Sequence, residues 1–97
     1  MDAFLEQLQL GKEVKMKAAI ATATASIGEV LYVQGNYVGV AKKAREAIAI
    51  YKEINDYRQL VLTLVVIGDA MTKLSKYDSA FYLYQEALTY VNNHDIM

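Results

Sequence analysis

The chain has no cysteine and no proline, a single histidine and five glycines among 97 residues. Without cysteine there is neither a disulfide framework nor a thiolate metal site. Such a chain is compatible with a reducing compartment. Without proline an all-β reading is strained, because β-turns use proline at fixed positions, whereas long helices exclude it from their interiors. One histidine, His94, three places from the last residue, has no partners at the spacing that a metal site or general acid–base catalysis needs. It reads as a frayed residue near a helix end. The glycines form no phosphate-cradling loop, since Gly35 and Gly39 stand apart from any such motif.

No charge of one sign dominates. Lys and Arg number 10, Asp and Glu 11, and the net charge is −1. That balance lacks the clustered cations on which non-specific nucleic-acid binding runs. The short run Lys42, Lys43, Arg45 reads as a solvated face. No apolar run approaches the roughly 20 residues needed to span a bilayer. The opening MDAFLEQLQL carries Asp2 and Glu6 where a signal peptide would carry cations. A soluble cytoplasmic protein without membrane or direct nucleic-acid partners is expected, although a secreted parent that has lost its signal peptide would read the same way. At 55% hydrophobic and 22% charged, the chain is a globular one of a single domain.

What is present is a repeat. Shifted by 40 positions, Ile27-Gly28 falls on Ile67-Gly68, Glu29 on Asp69, Tyr37 on Tyr77, Glu46-Ala47 on Glu86-Ala87 and Ile48 on Leu88. The register extends backwards, pairing Glu6 with Glu46, Leu8 with Ile48, Leu10 with Ile50 and Lys12-Glu13 with Lys52-Glu53. The chain therefore divides into the second helix of a partial repeat (1–13), two whole repeats (14–53 and 54–93) and a tail (94–97). Within each repeat the small and apolar positions follow helical spacing, with breaks at QGN (34–36) and LSK (74–76). Asn36 is a candidate N-cap; Asp56-x-x-Gln59 and Ser75-x-x-Asp78 resemble capping boxes. The stretch LVLTLVVI (60–67) looks like a strand. It occupies the slot of the alanine-rich IATATASI (20–27), however, so it is expected to be the first helix of the second repeat, covered all round by its neighbours.

Ile27-Gly28 and Ile67-Gly68, Tyr37 and Tyr77, Ala80 and Tyr84, and the closing Ala47 and Ala87 together resemble the tetratricopeptide-repeat signature. The resemblance implies an all-α fold, a short right-handed α-solenoid of antiparallel helix hairpins. The departures are Thr24 and Leu64 at the bulky seat, Leu31 and Met71 at the early aromatic, Val40 and Ala44 at the later Ala and aromatic, and Lys52 and Asn92 where the closing proline would stand. The 40-residue period exceeds the usual 34, which implies helices about a turn and a half longer. Gly28 and Gly68 are expected where the two helices of a hairpin cross, and Ala47 and Ala87 at the next interface.

The resemblance further implies a non-enzymatic protein-interaction module that needs no cofactor and no metal. By analogy its concave groove would present Thr22, Ala25, Glu29, Tyr32 and Val33 from one repeat, and Leu62, Val65, Asp69, Thr72 and Lys73 from the other. Glu29 and Asp69 stand where the carboxylate-gripping members of the family carry Asn, and they would repel such a tail. An apolar floor beside two acids suits a hydrophobic peptide or helix carrying Lys or Arg. Phe81, Tyr84, Leu88 and Val91 form an end face on which a further hairpin, a second copy in a homodimer or an exchanged helix would sit. Long repeats of this kind are similar to those of bacterial signalling proteins, so a sensor region of a larger signalling or transcription protein is a second expectation. Self-association alone is a third.

Overall fold

The computed structural model describes residues 2–94, with side chains from residue 11 onward. Four helices follow one another: α1 (Asp2–Val33), α2 (Tyr37–Glu53), α3 (Tyr57–Lys73) and α4 (Tyr77–His94). Each packs on the next, α1 on α2, α2 on α3 and α3 on α4. The fold is all-α, a run of antiparallel hairpins, and no strand occurs among the described residues. The stretch 60–67 lies inside α3.

The three turns share one geometry. Gly35, Asn55 and Ser75, twenty places apart, all adopt positive φ (78°, 60° and 60°). In each turn the amide of the following residue donates to a carbonyl five residues back: Asn36 to Leu31 (2.9 Å), Asp56 to Tyr51 (2.9 Å) and Lys76 to Met71 (2.8 Å). The left-handed residue donates to Tyr32, Lys52 or Thr72 in turn. This is a Schellman ending, which satisfies carbonyls the helix leaves orphaned. Its last residue doubles as the N-cap of the next helix. Asn36 accepts from the Gly39 amide (3.0 Å) and Asp56 from the Gln59 amide (3.2 Å). A tyrosine then opens each helix: Tyr37, Tyr57 and Tyr77. The unit is thus one helix of 17 or 18 residues plus its turn, and the 40-residue period is a pair of such units.

Ser75 does not open a capping box. It holds the left-handed seat, and Lys76, whose side chain can only donate, stands at the cap position. No turn separates residues 13 and 14 either. α1 runs through that boundary as one helix of 32 residues, about 48 Å long at 1.5 Å per residue. Its first half projects beyond the hairpins and gives the molecule its 56 Å long axis.

The core belongs to the helices with neighbours on both sides. Ala44, Ala47, Ile48 and Tyr51 of α2 cluster with Leu60, Leu64, Ile67 and Met71 of α3, with Ala21 of α1 and Ala80 and Ala87 of α4 closing the flanks. Alanine recurs at these seats because small side chains let helix axes approach closely. The two glycines differ. A Cβ on Gly68 would come within 2.5 Å of Cε1 of Tyr84, whereas on Gly28 it would meet nothing closer than the Cβ of Lys43 at 3.8 Å. Both are buried, but only Gly68 is required by a close approach. The cause lies opposite: the seat facing Gly68 holds Tyr84, and the equivalent seat facing Gly28 holds Ala44.

Candidate functional site: the groove between alternate helices

Because each helix packs on its sequence neighbours, alternate helices stand apart with a furrow between them. The furrow between α1 and α3 has Ala44 of α2 on its floor. It consists of a hollow of about 150 Å³ walled by Ala25, Gly28 and Glu29 on one side and Gln59, Leu62, Thr63 and Val66 on the other. Glu29 and Val66 are shared with a second hollow of about 380 Å³, completed by Tyr32, Val33 and Asp69. The furrow is predominantly apolar, and Leu62 and Val33 remain 53% and 87% exposed. α3 is therefore not covered all round: Leu60, Leu64 and Ile67 are buried, while Leu62 and Val65 face out.

Of the residues expected in the groove, Ala25, Glu29, Tyr32, Val33, Leu62 and Asp69 line it, and Thr22, Val65, Thr72 and Lys73 do not. The expectation transferred equivalent seats from α1 to α3. Opposite walls of a furrow face each other, so α1 presents one flank and α3 the other. Glu29 and Asp69 form the one pair of 40-spaced seats found on both walls. Gln59, Thr63 and Val66 were passed over; their spacing with Leu62 and Asp69 marks a single helical stripe.

Asp69 is held in place. The Tyr84 hydroxyl donates to its Oδ1 at 2.5 Å, and Thr72, whose own hydroxyl donates to the Gly68 carbonyl (3.0 Å), lies beside that tyrosine. The hydrogen bond to Asp69, aided by partial burial, raises the Tyr84 pKa above the ordinary tyrosine range. Tyr84 thus belongs to the α3–α4 seam more than to the end face. Phe81 and Leu88 are exposed there and Val91 is half-buried. Glu29 is exposed at the same mouth as Asp69. At the far end of the seam, His94 closes α4 and stacks on Tyr57, ring centroids 3.8 Å apart and nearly parallel, with Tyr90 alongside. It is an ordered helix terminus and not part of a tail; residues 95–97 lie outside the described ones.

The opposite furrow, between α2 and α4, has Leu64 and Ile67 of α3 beneath it and mixed charges at its rim: Arg45, Lys52 and Glu86. The Lys52–Glu86 pair spans it at 3.9 Å. Lys17 of α1 pairs with Glu53 at the end of α2, which raises the lysine pKa through the hydrogen bond and the carboxylate charge. Among the described residues no group of three or more His, Cys, Asp or Glu side chains is placed to hold a metal ion, and no helix is long and apolar enough to cross a membrane.

No protein-family model matches the chain, and neither a curated protein nor a solved structure matches it.

Proposed function

We propose that the chain is a non-enzymatic protein-interaction module of the tetratricopeptide type, and that the α1–α3 furrow takes an amphipathic peptide or partner helix carrying Lys or Arg. One observation carries this reading: an apolar furrow open to solvent has Glu29 and Asp69 at one mouth, with Asp69 fixed by Tyr84. An apolar ridge of the ligand fits between Leu62, Val66 and Val33, and a cation on the same ligand meets the two acids. Fixing Asp69 beforehand lowers the ordering cost of that contact. The lack of cysteine suits a cytoplasmic setting. The exposed Phe81 and Leu88 favour a second use, as the surface on which further repeats of a larger signalling or transcription protein would stack.

The test is titration with a synthetic Leu/Lys amphipathic helix and its Leu/Glu counterpart, read by fluorescence anisotropy. The basic helix is expected to bind and the acidic one not. Glu29→Lys with Asp69→Lys should weaken binding by about tenfold or more, the scale of one lost charge-paired contact. Equal affinity of the doubly reversed variant for the basic helix would remove the furrow from consideration.

A further inference from the structure

The furrow between α2 and α4 continues past Arg45 toward the third turn. There it widens into a hollow of about 450 Å³, walled by Lys42 and Arg45 of α2 and by Lys76 and Ser79 at the start of α4. Buried Met71 and half-buried Leu74 supply its apolar part. No carboxylate lines it among the described residues. Asp78, the nearest acid in sequence, is exposed outside it.

These cations are unmatched. Lys17, Lys43 and Lys52 pair with Glu53, Glu46 and Glu86, whereas Lys42, Arg45 and Lys76 pair with no carboxylate among the described residues. Nor does the fold ask for them. Forty places on from Lys42 and Arg45 stand Tyr82 and Gln85, and forty places back from Lys76 stands Asn36, the cap of α2. At that cap seat a lysine offers no acceptor and sets its charge against the helix dipole. Departures of this kind from local structural preference gather at functional sites.

We propose that this hollow binds a phosphorylated serine or threonine of a partner peptide, whose apolar residues rest on Met71 and Leu74. A phosphate monoester carries nearly two negative charges and three acceptor oxygens. That suits one guanidinium fork and two ammonium groups better than a carboxylate does. Three cations gathered at one hollow favour a single dianion over acids strung along a helix, because farther along the furrow Lys52 is already matched by Glu86. A nucleic acid would call for a longer basic track than a chain of balanced charge provides.

The test is fluorescence anisotropy of a labelled leucine-rich peptide with one phosphoserine, set against the same peptide unphosphorylated. Phosphorylation should tighten binding by about tenfold or more. Arg45→Ala should erase that preference, and Lys15→Ala, which removes a charge outside the hollow, should keep it. In Lys76→Asp, stability and binding should move in opposite directions: the denaturation midpoint rises while the preference is lost. No residue of the α1–α3 furrow is altered, so this reading and the one proposed for that furrow can fail separately. Equal affinity for the two peptides overturns the inference. So does a preference that survives Arg45→Ala or Lys76→Asp, or one that falls as far in Lys15→Ala, the mark of net charge alone. Displacement of the phosphopeptide by equimolar inorganic phosphate would reduce the hollow to a free-anion site, and Arg45-dependent binding of the Leu/Glu helix would make it a surface for acidic helices; either result overturns the inference too.

Discussion

Tyr84 fills the space that Gly68 leaves open, and its hydroxyl reaches Asp69 one residue further along the same helix. The glycine, the ring and the carboxylate form one packed unit at the edge of the furrow, so a change at Gly68 is felt at the candidate site.

Gly68→Ala should therefore destabilise the fold. Overpacking costs about 1–3 kcal/mol, offset in part by the 0.5–1 kcal/mol or so gained on removing a helical glycine, for a net loss of about 1 kcal/mol. At this chain length that is a fall in Tm of roughly 4–8 °C. Gly28→Ala meets no close neighbour and should raise Tm by a few degrees. Thermal melts of both variants decide the matter, and in a Tyr84→Ala background the Gly68→Ala loss should disappear.

The third turn is the least well matched to its geometry. Ser75 pays the left-handed penalty that Gly35 avoids and Asn55 reduces, and Lys76 offers no acceptor where Asn36 and Asp56 do. Ser75→Gly should stabilise by about 0.5–1 kcal/mol and Lys76→Asp by about 1 kcal/mol, the latter also favourable to the helix dipole. Chemical denaturation midpoints should rise for each variant and add in the pair. A midpoint that falls for Ser75→Gly would contradict the turn geometry.

Much of this was legible in advance. The helical hairpins followed from recurrence at 40 residues, and Asn36 and Asp56 announced their caps. The twenty-residue unit was hidden because its turns share a backbone shape and not a residue type: glycine, asparagine and serine all occupy the left-handed seat. The continuity of α1 was missed because apolar register at Phe4 to Glu13 was weighed above the missing turn chemistry at Lys15 and Met16. Only Gly68 of the two equivalent glycines is tightly opposed, because a small residue at a repeat-equivalent seat says nothing of what stands opposite. The two walls of the furrow carry different seats of the repeat, since equivalence along the chain is not mirror symmetry across a furrow.

The Tyr84–Asp69 bond carries a pH dependence of known sign. Tyr84's pKa in the folded chain stands above its unfolded value of about 10. Its contribution is complete below that value and is lost as pH rises through the raised one. Stability should therefore fall on the alkaline side above about pH 10 by more in wild type than in Tyr84→Phe. In an absorbance titration of the eight tyrosines, the Phe variant should lack a late-ionising step. Superimposable alkaline limbs for the two proteins would contradict the bond.

The stretch LVLTLVVI offers the sharpest test of the fold, because helix and strand divide its leucines differently. On a strand, residues 60, 62 and 64 share one face. In α3, Leu60 and Leu64 are 0% and 2% exposed while Leu62 is 53% exposed in the furrow. Leu60→Ala should cost about 2–5 kcal/mol, as expected for a cavity in a close-packed interior. Leu62→Ala should stay within about 0.5 kcal/mol, yet weaken capture of the basic amphipathic helix. Equal and large stability losses at both positions, read from denaturation midpoints, would be the signature of a buried strand and would overturn the architecture on which the furrow depends.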